Sequence, residues 1–123
     1  MKHLLPLLAA VAAGACADAP PHDVTVTWSL NDVTVGNYCT RVSVSIGHDA
    51  RPVEEHTLAC DATSDVITVD DGEAATIEVH YMYWEIPAGC ESQSCWHETW
   101  FASGYGTYDG ASDQMAITVH RSF

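Results

Sequence analysis

A two-residue alternation of apolar and polar side chains runs through almost the whole chain beyond its N-terminal segment, and it constrains the fold more than any other feature. In residues 24–30, Val24, Val26 and Trp28 share one face and hydroxyl side chains occupy the other. Residues 41–46 repeat the pattern. Successive side chains of a strand point to opposite faces, so this period predicts half-buried strands. No segment shows sustained helical periodicity, and we therefore expect an all-β domain.

The positions of the strands predict the architecture. The alternation and the richness in Val, Ile, Thr, Tyr and Trp predict seven strands, at residues 24–30, 39–47, 53–60, 65–69, 75–86, 96–102 and 114–121. Asp70-Asp71-Gly72 predicts a hairpin turn, and residues 104–113 a loop. Short strands at regular spacing predict a single antiparallel two-sheet β-sandwich. Over residues 23–123 the arrangement resembles immunoglobulin-like or transthyretin-like sandwiches in general architecture, without a motif of any one family.

The N-terminus predicts export. A short positive end is followed by an apolar run over residues 4–13 and by Gly14-Ala15-Cys16, which is the pattern of a secretory signal peptide. The run is shorter than the roughly 20 residues that a membrane-spanning helix needs. Residues 13–16, Ala-Gly-Ala-Cys, resemble the bacterial lipobox, which implies that Cys16 receives the lipid and becomes the first residue. Ordinary signal cleavage near Ala15 or Ala17 is the alternative.

These features divide the chain into three parts. We expect a signal peptide at residues 1–15, a lipidated cysteine and tether at residues 16–23, and the β-sandwich at residues 24–123. Ala17 follows the cysteine, and the lipoprotein sorting rule then implies the outer membrane. The expected location is the cell envelope, as an outer-membrane lipoprotein that faces the periplasm or the cell surface and is held to the membrane through its palmitate-type anchor.

The cysteines predict two disulfides. The chain has five cysteines, and lipidation of Cys16 leaves an even set for an oxidising compartment. A hairpin in which opposed residue numbers sum to 99 would place Cys39 opposite Cys60. Cys90 and Cys95 would close the turn between the strands at residues 75–86 and 96–102. We predict these two pairings, although four cysteines allow three connectivities.

The charge of the chain excludes some partners. It carries 17 acidic residues against four basic ones, and the formal net charge is −13. Phosphates need cations to replace their counterions, so the composition argues against nucleic acid and against anionic lipid surfaces. The acidic surface indicates either a face for cations or basic partners, or a soluble face that resists aggregation.

Metal and catalytic sites have weak support. His97 and His120, with Glu98, are the histidines that could approach one another, whereas His80 and His97 lie too far apart along the predicted hairpin. Acidic loops at residues 70–73 and 109–113 offer calcium-type oxygen ligands, but neither has the EF-hand spacing. No nucleophile motif is present, and 17 acids give no way to choose a glycosidase pair. We expect no catalytic residue, no metal and no cofactor.

Aromatic residues are concentrated in the second half of the chain. Tyr81 and Tyr83 share a face with apolar residues and are expected in the core. With opposed numbers summing to 185, Trp84 would face Phe101 on the other side of the sheet. A predicted aromatic patch then comprises Trp84, Trp100, Phe101, Tyr105 and Tyr108. Such rings serve either cross-strand packing or the binding of a sugar or a protein.

These observations favour a non-enzymatic, membrane-anchored domain with a binding or envelope-structural role. Its rigid scaffold would present the loops at residues 87–95 and 103–113 to an envelope protein or a glycan. Two alternatives remain open. One is a metal-binding periplasmic protein or metalloenzyme that uses His97, His120 and the acidic loops, and the other is an accessory domain without a ligand.

Overall fold

The computed structural model describes residues 20–49 and 51–122. The predicted signal peptide, Cys16 and most of the tether lie outside these residues. Within them, no helix is long and apolar enough to cross a membrane. The strands, in chain order, are β1 (Pro21–Asn31), β2 (Cys39–His48), β3 (Glu54–Leu58), β4 (Ser64–Asp70), β5 (Ala75–Glu85), β6 (His97–Tyr108) and β7 (Gln114–Arg121), and a short 3₁₀ turn (Gln93–Cys95) precedes β6.

The seven strands form one curled sheet in the order β3-β2-β5-β6-β7-β1-β4, shaped like half a barrel. The all-β class and the seven predicted strands are confirmed. The prediction of antiparallel pairing is wrong at one place, because β1 and β7 run parallel. The two halves of the sheet, β3-β2-β5-β6 and β7-β1-β4, are joined where Ala102 and Ser103 of β6 pair with Arg121 and His120 of β7.

The alternating residues of every long strand bury one face of the sheet. On β5, the inward residues Ala75, Ile77, Val79 and Tyr81 are almost fully buried, whereas the intervening residues are exposed or half-buried. Tyr83 packs against the same core, so the core prediction for both tyrosines is confirmed. Burial of apolar surface at roughly 25 cal/mol per Å² is the main force that curls the sheet around this core.

Both predicted disulfides are present, Cys39–Cys60 with a Cα–Cα distance of 6.3 Å and Cys90–Cys95 with one of 6.0 Å. The hairpin register was wrong by one residue. Val42 pairs with Leu58, so opposed numbers sum to 100 rather than 99, and the first disulfide lies just beyond the end of the β2–β3 ladder. The observed register puts Leu58 on the buried face, where the predicted one put it among polar residues. A one-residue slip exchanges the two faces of a strand, and burial of Leu58 selects the register.

Two predicted connections differ from the structure. β6 continues through Tyr108, so the first half of the predicted loop at residues 104–113 is strand. Gly104 is there because a side chain at this position would collide with the Thr118 carbonyl on β7. The turn at residues 71–72 is confirmed, with Gly72 at a φ of 80°. It is not a hairpin, however, because β4 pairs with β1 and β5 pairs with β2 and β6.

The two outermost strands of the curled sheet, β3 and β4, approach one another through charged side chains. His56 of β3 donates from Nδ1 to Asp65 Oδ2 of β4 at 2.6 Å, and its Nε2 lies 3.4 Å from Glu54. The other Glu54 oxygen accepts from His48 Nε2 at 2.9 Å. Glu73 and Arg51 extend this group beside His48. We call the six residues, Asp65, His56, Glu54, His48, Glu73 and Arg51, the edge cluster.

Candidate functional site

The outer surface of β3, β2, β5 and β6 is the face of these four strands that lies away from the core. The strand register arranges its outward residues in rows across the sheet. The rows, from one end to the other, are Trp84–Glu98, Arg41–Met82–Trp100, Thr57–Ser43–His80–Ser103 and Glu55–Ser45–Glu78–Tyr105. We call this surface the outer face. It combines exposed aromatic rings with carboxylates on a rigid sheet.

Trp84 and Trp100 dominate one end of the outer face. Their exposed fractions are 50% and 47%, which is high for the largest side chain. Trp84 lies opposite Glu98, and Trp100 follows two residues later on the same strand, so the two tryptophans are diagonal neighbours about 7–8 Å apart at Cα. The ring of Trp100 also packs on His80, with 4.8 Å between ring centroids. The two indoles are therefore neighbouring apolar groups that solvent reaches.

Tyr105 extends the aromatic surface toward the other end of the outer face. Its exposed fraction is 75%, and it lies opposite Glu78. Its row is four residues along β5 from the row of Trp100, which is about 13 Å at 3.3 Å per residue. Tyr105 also lines a cleft of about 490 Å³ between β6 and β7, where the two strands separate. Trp84, Trp100 and Tyr105 are hereafter the exposed aromatic patch.

Two residues of the predicted aromatic patch do not reach the surface. Phe101 is 4% exposed and Tyr108 is 1% exposed. The predicted register was wrong, because Trp84 pairs with Glu98 rather than with Phe101. A β-bulge opposite Tyr81 turns both Phe101 and Ala102 toward the core, and period-two reasoning cannot detect such a bulge. Tyr108 is held inside by a hydrogen bond to the Ser112 carbonyl at 2.6 Å.

An ion pair that sequence reasoning missed crosses the outer face. Arg41 of β2 donates to both oxygens of Glu98 on β6, with Nη2–Oε1 at 2.8 Å and Nε–Oε2 at 3.1 Å. Thr40 donates to the same carboxylate at 2.7 Å. The hydrogen bond from Arg41 lowers the pKa of Glu98, and the hydrogen bond to Glu98 raises the pKa of Arg41. No sequence signal joins these residues, because β5 lies between their strands.

The outer face is therefore acidic. Its charged residues are three carboxylates, Glu55, Glu78 and Glu98, and one guanidinium, Arg41. Burial lowers the pKa of His80 despite the nearby Glu78 and Glu55, so this imidazole is neutral at pH 7. Glu55 and Glu78 are half-exposed, with side-chain exposures of 54% and 51%. Their oxygens are available to a ligand that donates hydrogen bonds or carries positive charge.

The structure does not bring the metal candidates together. His97 binds Glu85 at 2.6 Å, and His120 contacts Asn31 at 3.4 Å. His120 pairs with Ser103, six residues along β6 from His97, which is about 20 Å. In the part of the chain that the structure describes, no three His, Cys, Asp or Glu side chains are placed to hold a metal ion.

The two acidic loops lie against each other, and one carboxylate of each is used within the protein. Gly110 packs on the backbone of Gly72. Glu73 accepts from Arg51 at 2.7 Å, and this hydrogen bond lowers its pKa. Asp109 accepts from the backbone N–H groups of residues 111 and 112, and these bonds lower its pKa. Both carboxylates thus stabilise turns, which is a common role of acidic residues in such loops.

A second cavity lies beside the β1–β2 loop. Its volume is about 290 Å³, and its walls are Asp32, Val33, Thr34, Tyr38, Phe101 and Arg121. Tyr38 is 52% exposed and packs on Phe101, with 4.9 Å between ring centroids. The cavity is separate from the exposed aromatic patch and carries no cluster of catalytic side chains.

The chain matches no protein-family model, no curated protein and no solved structure.

Proposed function

We propose that this protein is an exported, lipid-anchored binding domain of the bacterial cell envelope, and that it holds its partner on the outer face of β5 and β6. The observation that carries the proposal is the exposed aromatic patch. Two half-exposed tryptophans are diagonal neighbours on a sheet whose opposite face packs on the hydrophobic core. Tryptophan and tyrosine bury much apolar area with little loss of rotamer freedom, and they are enriched at binding hot spots.

The proposed role is non-enzymatic, and the partner class is an envelope protein or a glycan. The scaffold acts as a two-sheet sandwich, in which β3-β2-β5-β6 forms one layer and β7-β1-β4 the other. Two disulfides, Cys39–Cys60 and Cys90–Cys95, fasten the chain at one end of the first layer. A rigid platform favours binding because little conformational entropy is lost when a ligand orders the surface.

The proposed anchor and location rest on the N-terminal sequence. Acylation at Cys16 would attach the domain to the membrane through residues 17–20, because the last three residues of the predicted tether, 21–23, belong to β1. The two disulfides support this assignment, because such bonds form and persist in oxidising compartments outside the cytoplasm. With Ala17 after the cysteine, we assign the protein to the outer membrane, facing the periplasm or the cell surface.

Replacement of both tryptophans tests the proposed binding site. We expect the variant W84A/W100A to lose at least about tenfold in affinity for isolated envelope material, namely peptidoglycan and outer-membrane proteins, because hot-spot tryptophans carry most of the binding free energy. Both side chains are half-exposed, so the free energy of unfolding should change by less than about 1 kcal/mol. Surface plasmon resonance and urea unfolding measure the two quantities.

The matched control is V53A/V66A, which removes two other exposed apolar side chains at 70% and 51% exposure, outside the patch. It should bind as the unsubstituted protein does. Equal binding by all three proteins would show that the outer face is not the binding site.

A further inference from the structure

The outer face offers a ligand many acceptors and few donors. The strongest donors on it belong to Arg41, and they are already used. Its Nε and Nη2 donate to Glu98, and its Nη1 lies 3.4 Å from the Thr57 hydroxyl and 3.6 Å from Glu55. A ligand that must accept hydrogen bonds or that carries negative charge therefore finds no free cation there.

The acceptors, by contrast, are open. The nearest basic group to Glu78 is His80, at 3.6 Å, and this imidazole is neutral at pH 7 because burial lowers its pKa. The Oε2 atom of Glu55 accepts a hydrogen bond from the buried Ser43 hydroxyl and lies 3.6 Å from Arg41 Nη1, yet more than half of the Glu55 side chain stays exposed. Glu55, Glu78 and Tyr105 lie in one row across the sheet, so two carboxylates and a phenol ring face the same space.

The exposed aromatic rings of the outer face, like its carboxylates, favour the binding of cations. The faces of tryptophan and tyrosine rings carry negative charge density and attract ammonium and guanidinium groups. Arginine suits such a surface especially well, because its planar head stacks on an aromatic ring and donates a bidentate pair to a carboxylate. From Trp84 to Glu78 the face extends six residues along β5, about 20 Å. This length accommodates a segment of about six extended residues.

We propose that the outer face binds a positively charged protein segment, with some arginine or lysine side chains placed on Trp84 and Trp100 and others, further along the segment, paired with Glu55 and Glu78. The inference rests on the proposed binding function and specifies its partner. The chain as a whole supports this charge complementarity, because its 17 acidic residues against four basic ones draw a basic partner toward it. An uncharged glycan would use the rings but not the carboxylates.

Calorimetric titration of the full chain tests the proposal with three probes: a ten-residue peptide of alternating Arg and Gly, a matched peptide of alternating Gln and Gly, and a tetramer of N-acetylglucosamine. We expect the Arg–Gly peptide to bind and the other two to bind at least about tenfold more weakly. Its Kd should rise at least about tenfold between about 50 and about 500 mM NaCl, because salt screens exposed charges.

Charge-matched variants separate the site from the net charge of the protein. E55Q/E78Q removes two carboxylates from the outer face, and D61N/D71N removes two exposed carboxylates elsewhere. We expect the first variant to weaken binding of the Arg–Gly peptide at least about fivefold and the second less than about twofold. W84A/W100A should weaken it as much as E55Q/E78Q does.

Two sets of results would overturn the inference in distinguishable ways. If the tetrasaccharide binds, resists salt and is lost in W84A/W100A, the outer face is a binding site but its ligand is a glycan. If the Arg–Gly peptide does not bind, or if both charge variants weaken it equally, the face has no site for a basic segment. Only the first of these results leaves the proposed binding function supported.

Discussion

Tyr81 joins the core to the loop that carries Cys60. Its ring is 1% exposed, and its hydroxyl accepts from Trp28 Nε1 at 2.9 Å and donates to the Ala62 carbonyl at 3.3 Å. Burial raises the pKa of this phenol, so it stays protonated and able to donate throughout the neutral range. The Tyr81 hydroxyl is the only described group that accepts a hydrogen bond from the buried Trp28 indole N–H. Tyr81 therefore provides a polar contact that this apolar core requires.

Removal of the Tyr81 hydroxyl should therefore destabilise the protein. We expect Y81F to lower the free energy of unfolding by about 1–3 kcal/mol, the cost of leaving a buried donor unsatisfied. The exposed Tyr105 provides the control, and Y105F should change the value by less than about 0.5 kcal/mol. Urea unfolding followed by circular dichroism measures both. An unchanged midpoint for Y81F would mean that the hydroxyl contributes nothing to the core.

At the scale of single residues, the sequence predicted where Tyr81 points but not what it contacts. The alternation along β5 is sufficient to place Tyr81 beside Ile77 and Val79. Its partner Trp28 comes from β1, in the other half of the curled sheet, and such a contact depends on the order of strands. The same limit applies to Arg41 and Glu98, whose strands have β5 between them.

Among the elements, the contact between β3 and β4 has the clearest dependence on pH. Burial lowers the pKa of His56, but the hydrogen bonds and charges of Asp65 and Glu54 together outweigh it, and the net pKa lies above its ordinary value of 6.5. The other residues of the edge cluster, His48, Glu73 and Arg51, complete the charged surroundings of this imidazole. Protonated His56 can donate from both ring nitrogens, to Asp65 on β4 and to Glu54 on β3.

The two shifted histidines predict a maximum of stability near pH 6.5. A raised folded-state pKa gives His56 a stabilising contribution that is complete below pH 6.5 and is lost as the pH rises through the folded value. The pKa of His80 is lowered by burial, so its protonation destabilises the folded state as the pH falls below 6.5. Thermal unfolding between about pH 5 and 8 should therefore give the highest Tm near the middle of this range.

Replacing each histidine singly tests which one causes the loss of Tm on each side of this maximum. H56Q should reduce the loss of Tm on the alkaline side, and H80Q should reduce the loss on the acidic side. The carboxylates Glu54, Glu73 and Glu98 do not interfere, because their pKa values are lowered from 4.5 and their effects fall at more acidic pH. An alkaline loss of the same size in H56Q would exclude the β3–β4 contact as its cause.

Sequence patterns predicted the elements well and their registers poorly. All seven strands were predicted, because β-branched and aromatic residues alternate clearly. The β2–β3 register was wrong by one residue and the β5–β6 register by three. In the first case burial of Leu58 on the inner face decides the pairing, and in the second the 3₁₀ turn before Trp96 shifts the start of β6. These are tertiary effects that the alternation of single strands does not contain.

For the molecule as a whole, the alternation predicted the all-β class and the cysteine number and positions predicted the two disulfides, whereas the topology is visible only in the structure. The parallel neighbours β1 and β7, and the short β6–β7 pairing that joins the two halves, have no local sequence signal. The candidate site was predicted in part. Trp84, Trp100 and Tyr105 lie on the outer face, but Phe101 alternates with the outward Trp100 and faces the core, and the bulge after it turns Tyr108 inward as well.

We propose a binding domain that leaves the cytoplasm, forms both disulfides and stays attached to a membrane through Cys16. Intact mass spectrometry under non-reducing conditions, on protein extracted from its own membranes, tests this claim most directly. We predict the mass of residues 16–123 with acyl chains added and four hydrogens missing for the two disulfides. A mass that begins at another residue, with no lipid and a free thiol, would contradict the account and indicate a freely secreted domain.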